Sequence, residues 1–236
     1  MRLFLALALA HVPLRAPTNG EELIKAMHDR YAGKWYSTVS FTQKTTQANG
    51  TVETWYEVLG VPGRLRIDIA PLDSENATLF RNDTLYSIRG GKLVRTSPLI
   101  HPLLVLGFDI YADSVERTVR KMKTFNIDFS KLSTNTWQGR SVYVVGAAPD
   151  DSTSPQFWVD QERLVFVRLI QRNRNGGVNE TQFNKYSPLA GGWISAAVLF
   201  FTNGQPGTTE EYTNIKANEK FGADFFDPAK HARRKR

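Results

Sequence analysis

The chain has 236 residues, no cysteine, four histidines and a formal charge of +7. Its length suits one domain with a sizeable core, and the missing thiols exclude a disulfide framework, a thiolate metal site and a cysteine nucleophile. The positive charge is no nucleic-acid signature: Lys230, Arg233, Arg234, Lys235 and Arg236 crowd one end, Arg2 and Arg15 lie near the other, and the remainder is close to neutral.

The chain opens on Met1-Arg2, an almost pure Leu/Ala run from Leu3 to Ala10, and the small-residue pattern Ala8-Leu9-Ala10. A charged start, an apolar run and a small-residue site predict a secretory signal over residues 1–16, cleaved after Ala10 or Ala16. No other apolar run approaches the roughly 18 residues of a membrane span. An exported, soluble protein is expected, with one domain over 17–228 and a basic disordered tail over 229–236.

Thr18-Asn19-Gly20-Glu21 carries a capping-box pattern, and Leu23, Ile24, Met27 and Tyr31 recur at helical spacing before Gly33. Extended segments follow. Over Trp35–Thr46, Trp35, Val39 and Phe41 share one face, and Asn49-Gly50 predicts a type I′ turn into Thr51–Leu59. In the next segment Leu65, Ile67 and Ile69 alternate with Arg64, Arg66 and Asp68. Asn82-Asp83 and Gly90-Gly91 read as two more tight turns of a meander.

Residues 97–125 break this rhythm. Pro98 and Pro102 punctuate an apolar stretch from Leu99 through Leu103, Leu104 and Leu106 to Phe108, and Asp113 can cap a helix bearing Val115, Val119 and Met122. Such an excursion suits either a movable cover over an apolar space or a fixed plug. Strands then resume to Ala217, and several of them, including Val142–Val145 and Leu164–Ile170, are apolar on both faces. Both faces must therefore be covered, or one must line an apolar space.

The four histidines lack the spacing of a helical zinc site, no Gly-X-Ser-X-Gly elbow occurs, and the Gly-Gly pairs sit at hairpin turns rather than ahead of a helix. The pairs Asp150-Asp151 and Glu210-Glu211 read as solvated charges. No catalytic residue, metal site or cofactor is expected, so the protein is read as a binder rather than an enzyme.

The order of these elements carries a resemblance. Ser40-Phe41-Thr42-Gln43-Lys44 follows an amphipathic helix and precedes a polar hairpin; then come Val61-Pro62 and the Arg64–Asp68 strand. Over residues 19–228 this order resembles the LolA-like, outer-membrane lipoprotein-sorting family of periplasmic carriers. The resemblance implies a mainly β fold with α cover: a single curved antiparallel sheet of about eleven strands, forming an incomplete, half-open β-barrel with helices over its concave face. It implies a periplasmic carrier that holds acyl chains of lipids or lipoproteins in an apolar cavity and delivers them toward the outer membrane. The implied partners are an inner-membrane ABC-type release complex and an outer-membrane acceptor, with the carrier itself a monomer that binds no nucleic acid. The alternative on the same fold is a non-transporting envelope sensor or hydrophobic-ligand binding module.

The expected cavity residues are Val39, Phe41, Leu65, Ile67, Ile69, Val142 and Phe166, with Leu99, Leu103, Leu104, Leu106 and Phe108 as the lid. The family's carrier has a cavity-facing arginine just before the proline, which helps hold the lid shut. Here that position is Val61. Arg64 or Arg66 is the replacement latch, provided register turns one of them inward.

Overall fold

A computed structural model describes residues 16–222 and 224–231. Residues 1–15 of the leader expected over 1–16, and residues 232–236 of the tail expected over 229–236, lie outside them. Helix α1 (Gly20–Tyr31) precedes six strands: β1 (Thr38–Thr46), β2 (Val52–Gly60), β3 (Arg64–Ile69), β4 (Ala77–Arg81), β5 (Thr84–Arg89) and β6 (Lys92–Pro98). Helices α2 (Pro102–Gly107) and α3 (Val115–Lys123) interrupt, separated by a 3-10 turn at Asp109–Tyr111. Seven strands follow: β7 (Leu132–Trp137), β8 (Arg140–Val145), β9 (Gln156–Asp160), β10 (Phe166–Arg172), β11 (Val178–Leu189), β12 (Gly192–Thr202) and β13 (Gln205–Ala217), then a short α4 (Pro228–His231).

The thirteen strands make one antiparallel sheet in the order β6-β5-β4-β3-β2-β1-β13-β12-β11-β10-β9-β8-β7, with β6 and β7 as free edges. The mainly β, half-open architecture is as expected, with thirteen strands against about eleven. Two meanders meet at a central seam, where β1 pairs with β13 from Val39 opposite Ala217 to Thr46 opposite Thr209.

Local chemistry explains the turns. Asn82-Asp83 both take positive φ (51° and 55°), joining Arg81 to Thr84 by the two-residue turn that matches strand twist. The Asn49-Gly50 hairpin differs from expectation. Among its loop residues only Gly50 has positive φ (84°), and its N–H donates to the Gln47 carbonyl at 2.9 Å. The loop is therefore one residue longer than a type I′ turn, a type I turn closed by a left-handed glycine. Residues 126–131 form a loop ahead of β7, anchored by buried Ile127 and Phe129.

Helix α1 is capped one residue later than the Thr18–Glu21 pattern: Asn19 Oδ1 accepts the Glu22 N–H at 2.9 Å, while the Glu22 carboxylate accepts the N–H and hydroxyl of Thr18. Its apolar stripe (Leu23, Ile24, Met27, Tyr31) is buried, each such side chain contributing about 1.5–3 kcal/mol. Gly20 leaves no room for a Cβ: Val145 and Phe129 carbons would lie 2.6 and 2.8 Å from it, which seats the helix directly on β8. Tyr111 stacks on Trp35, meets Tyr31 edge-on, and accepts the Phe166 N–H at 3.1 Å through its hydroxyl. These contacts fill the concave face over β8–β11. Helix α3 is capped by Ser114, one residue beyond the expected Asp113, and is tied to the β4–β5 turn by Lys121–Asp83 (2.8 Å) and to α1 by Lys123–Glu21 (2.6 Å).

Candidate functional site

The other half of the concave face is not filled. A cavity of about 510 Å³ lies over β4, β3, β2, β1, β13 and β12 and reaches Phe183 of β11, with α2 along one side. Period-two alternation supplies its walls. Phe41, Leu65, Ile67 and Ile69 point inward from β1 and β3, and Leu103, Leu104 and Phe108 close over them from α2 and its C-terminal cap. These are seven of the residues expected from sequence. Phe80, Phe183 and Phe200 complete the apolar wall.

The remaining expected residues lie elsewhere, and each displacement has a cause. Val39 shares the Phe41 face but is fully buried in the core. Leu106 points into the core from the opposite side of α2. Leu99 precedes α2 and is 41% exposed. Val142 and Phe166 belong to β8 and β10, where α1 and the 3-10 turn have occupied the concave space. The sheet's concave face is thus divided between plug and cavity, a division no single-strand pattern reveals.

The latch expectation is also corrected. Alternation along β3 that turns Leu65, Ile67 and Ile69 into the cavity turns Arg64 and Arg66 to the opposite face. There Arg66, 3% exposed, pairs with Asp68 at 2.8 and 2.9 Å, donates to the Phe225 carbonyl at 3.2 Å and lies over the Phe225 ring. Arg64 lies over Phe226. Both arginines anchor the C-terminal segment rather than a lid. What ties the β2–β3 turn to the helical cover is Asp109, 2% exposed, whose carboxyl accepts the Gly63 N–H at 2.8 Å. Burial pushes Asp109 up to about 7, against the opposing pull of that hydrogen bond and of Lys121.

The cavity also has polar lining, which the sequence reading missed. Gln43, Thr45 and Gln47 continue the Phe41 face of β1; Glu57 sits between Trp55 and Leu59 on β2; Glu210 and Tyr212 come from β13. Tyr212 stacks on Phe41 at 4.2 Å and donates its hydroxyl to Glu210 at 2.8 Å. Gln43 Nε2 donates to the Thr45 hydroxyl at 2.8 Å. Glu57 is 7% exposed; burial, and secondarily the Glu210 carboxylate, drive its carboxyl well above the usual range. Burial likewise brings Glu210 up to about 7, opposed by hydrogen bonds from Tyr212 and Gln43. His101 lines the same cavity at the base of α2. Its Nδ1 accepts the Leu104 N–H at 3.3 Å as the helix cap, and its ring meets Phe80 edge-on. Burial lowers His101 to about 4, so the ring is neutral, as its acceptor role requires.

No family model matches the sequence, and no curated protein matches it. Solved structures do. The chain is similar to a putative outer membrane lipoprotein-sorting protein domain from Vibrio parahaemolyticus, with TM-score 0.60 and 14% identity over 90% of this chain and 98% of that one. It is similar to a DUF1329 family protein from Desulfovibrio piger, with TM-score 0.59 and 11% identity over 89% and 97%. A LolA superfamily protein from Nitrosomonas europaea matches with TM-score 0.54 and 11% identity over 89% and 98%. The likeness is one of fold, and the fold is LolA-like.

Proposed function

We propose that this protein is a periplasmic carrier that encloses an acyl chain, of a lipid or a lipoprotein, in its half-barrel and moves it toward the outer membrane. The observation that supports this reading is the cavity: about 510 Å³, walled by aromatic and aliphatic side chains from seven strands and overlain by α2. Its size falls within the roughly 300–1,000 Å³ of small-molecule sites. Each buried methylene of a ligand would contribute about 0.8 kcal/mol, so a partial chain suffices for retention. Among the described residues no helix is long and apolar enough to cross a membrane, in keeping with a carrier that works in an aqueous compartment. The lid is α2, and Asp109 on Gly63 takes the place of the arginine latch. Loading and unloading would fall to an inner-membrane ABC-type complex and an outer-membrane acceptor.

The test is native mass spectrometry of the protein expressed with its leader, followed by organic extraction. Bound acyl species are the expected result, and their identity separates lipid from lipoprotein. A clean apo mass, with no uptake of an added fluorescent fatty acid, would overturn the reading. Binding without transfer to acceptor vesicles or membranes would leave the non-transporting ligand-binding module in its place.

A further inference from the structure

A carrier for plain hydrocarbon has no use for carboxyl groups in its cavity. Here two project into it, Glu57 from β2 and Glu210 from β13, on either side of β1. Glu210 has a partner in Tyr212. Glu57, more than nine-tenths buried, has no hydrogen-bond or ion-pair partner among the described residues, although its neighbours along the strand, Trp55 and Leu59, also line the cavity. Its carboxyl faces the cavity rather than a protein donor, and an apolar residue of similar volume there would stabilise the empty protein more. The place of Glu57 between Phe41 and Ile67, with a second carboxyl and the amide of Gln43 across β1 in the same cavity, sets acceptors beside an otherwise apolar wall.

We propose that the cavity binds an amphiphile headed by a protonated amine, with the ammonium seated between Glu57 and Glu210 and the chain lying along the wall of Phe41, Leu65 and Ile67. The inference rests on the acyl-binding reading above and adds the head group to it. A primary ammonium offers three donors and one charge, which two carboxylates and a neighbouring amide oxygen can accept. The two carboxyls repel each other when both are ionised, and a cation between them reverses that repulsion. A divalent metal fits less well. Calcium takes six to eight oxygens, and among the described residues no group of three His, Cys, Asp or Glu side chains converges anywhere. A fatty-acid carboxylate would add a third carboxyl to the pair and gain no ion pair there. A carrier selecting by this pair would reject anionic chains and favour those with a free amine.

The experiment compares three probes of equal chain length at neutral pH: dodecylamine, dodecanol and dodecanoate. Each is titrated, below its micelle concentration, against protein loaded with the neutral fluorophore N-phenyl-1-naphthylamine. Dodecylamine is expected to displace the fluorophore at a concentration at least about tenfold lower than dodecanol, the effect of one charge-assisted hydrogen-bond set, with dodecanoate weakest. The E57Q/E210Q variant should lose the amine's advantage and keep its affinity for dodecanol. The single variants E57Q and E210Q, each expected to lose part of the advantage, serve if the double variant does not fold. An amine no better than dodecanoate in the natural protein, or an advantage that survives E57Q/E210Q, overturns the head-group assignment alone. Failure of all three probes to displace the fluorophore, or of the fluorophore to bind, overturns the apolar-ligand reading and this inference with it.

Discussion

At the scale of single residues, the cavity's titratable groups pull stability in opposite directions with pH. Glu210 has its carboxyl raised to about 7, so between its unfolded value near 4.5 and 7 the folded state binds the extra proton. Its contribution is present in full below that window and is lost as pH rises through it. E210Q should therefore be more stable than the natural protein at pH 8 and no different at pH 4. The gain is on the order of 3 kcal/mol from about 1.4 kcal/mol per unit, and urea denaturation at the two pH values would measure it. His101 behaves in the reverse sense. Its value falls to about 4 in the fold, so the unfolded chain takes up the proton first, and stability is lost as pH drops from about 6.5 toward 4. H101N keeps a competent helix cap and removes the titration. It should flatten the acid limb of the stability profile in that window while leaving stability near pH 8 within about 1 kcal/mol. An unchanged acid slope would remove His101 as its cause.

The residue scale is also where sequence reading fell short. Glu57 was open to detection, because Trp55, Glu57 and Leu59 fall on one face of a strand and a charge between two large apolar neighbours at i±2 is a buried charge. Glu210 was harder. Adjacent to Glu211, it looks like half of a solvated pair, and only the pairing of β1 with β13 turns it inward while Glu211 faces out toward Lys44, 3.7 Å away.

At the scale of elements, the cover is defined by few contacts. Helix α2 has six residues, too short to persist without tertiary support, and rests on Phe183 so closely that a Cβ on Gly107 would come within 2.8 Å of the ring. The bond from Gly63 to Asp109 is the polar tie between the β2–β3 turn and this cover. D109A should loosen it: amide hydrogen exchange over residues 104–108 is expected to quicken, by the factor that corresponds to about 1 kcal/mol for loss of a hydrogen bond to a partly buried donor. Equal protection in both proteins would mean the cover is held by packing alone. The meander itself was legible from turn chemistry and period-two strands, and α1 from its cap and stripe. The partition of the concave face was not. Whether Phe166 or Phe41 meets empty space depends on where α1 and Tyr111 settle, which is a tertiary outcome and leaves no mark on either strand.

At the scale of the whole molecule, the sheet is two meanders joined along one seam, and a continuous core crosses it, drawing on Val39 and Leu65 from one side and Val144, Phe157 and Leu169 from the other. Removing residues from 205 onward would delete β13 and leave β1 and β12 as unpaired edges in mid-sheet. Such a truncation should abolish cooperative unfolding, read by near-ultraviolet circular dichroism and heat denaturation. A cooperative transition in the truncated chain would show that the halves fold separately. The pairing of the first strand with the last has a further consequence in time. A chain emerging from the ribosome, or threading a narrow pore, N-terminus first carries β1 with an unsatisfied flank until nearly its whole length has passed. Contacts so distant in sequence close late and slowly, which keeps such a chain unfolded, and able to be threaded, for as long as threading lasts.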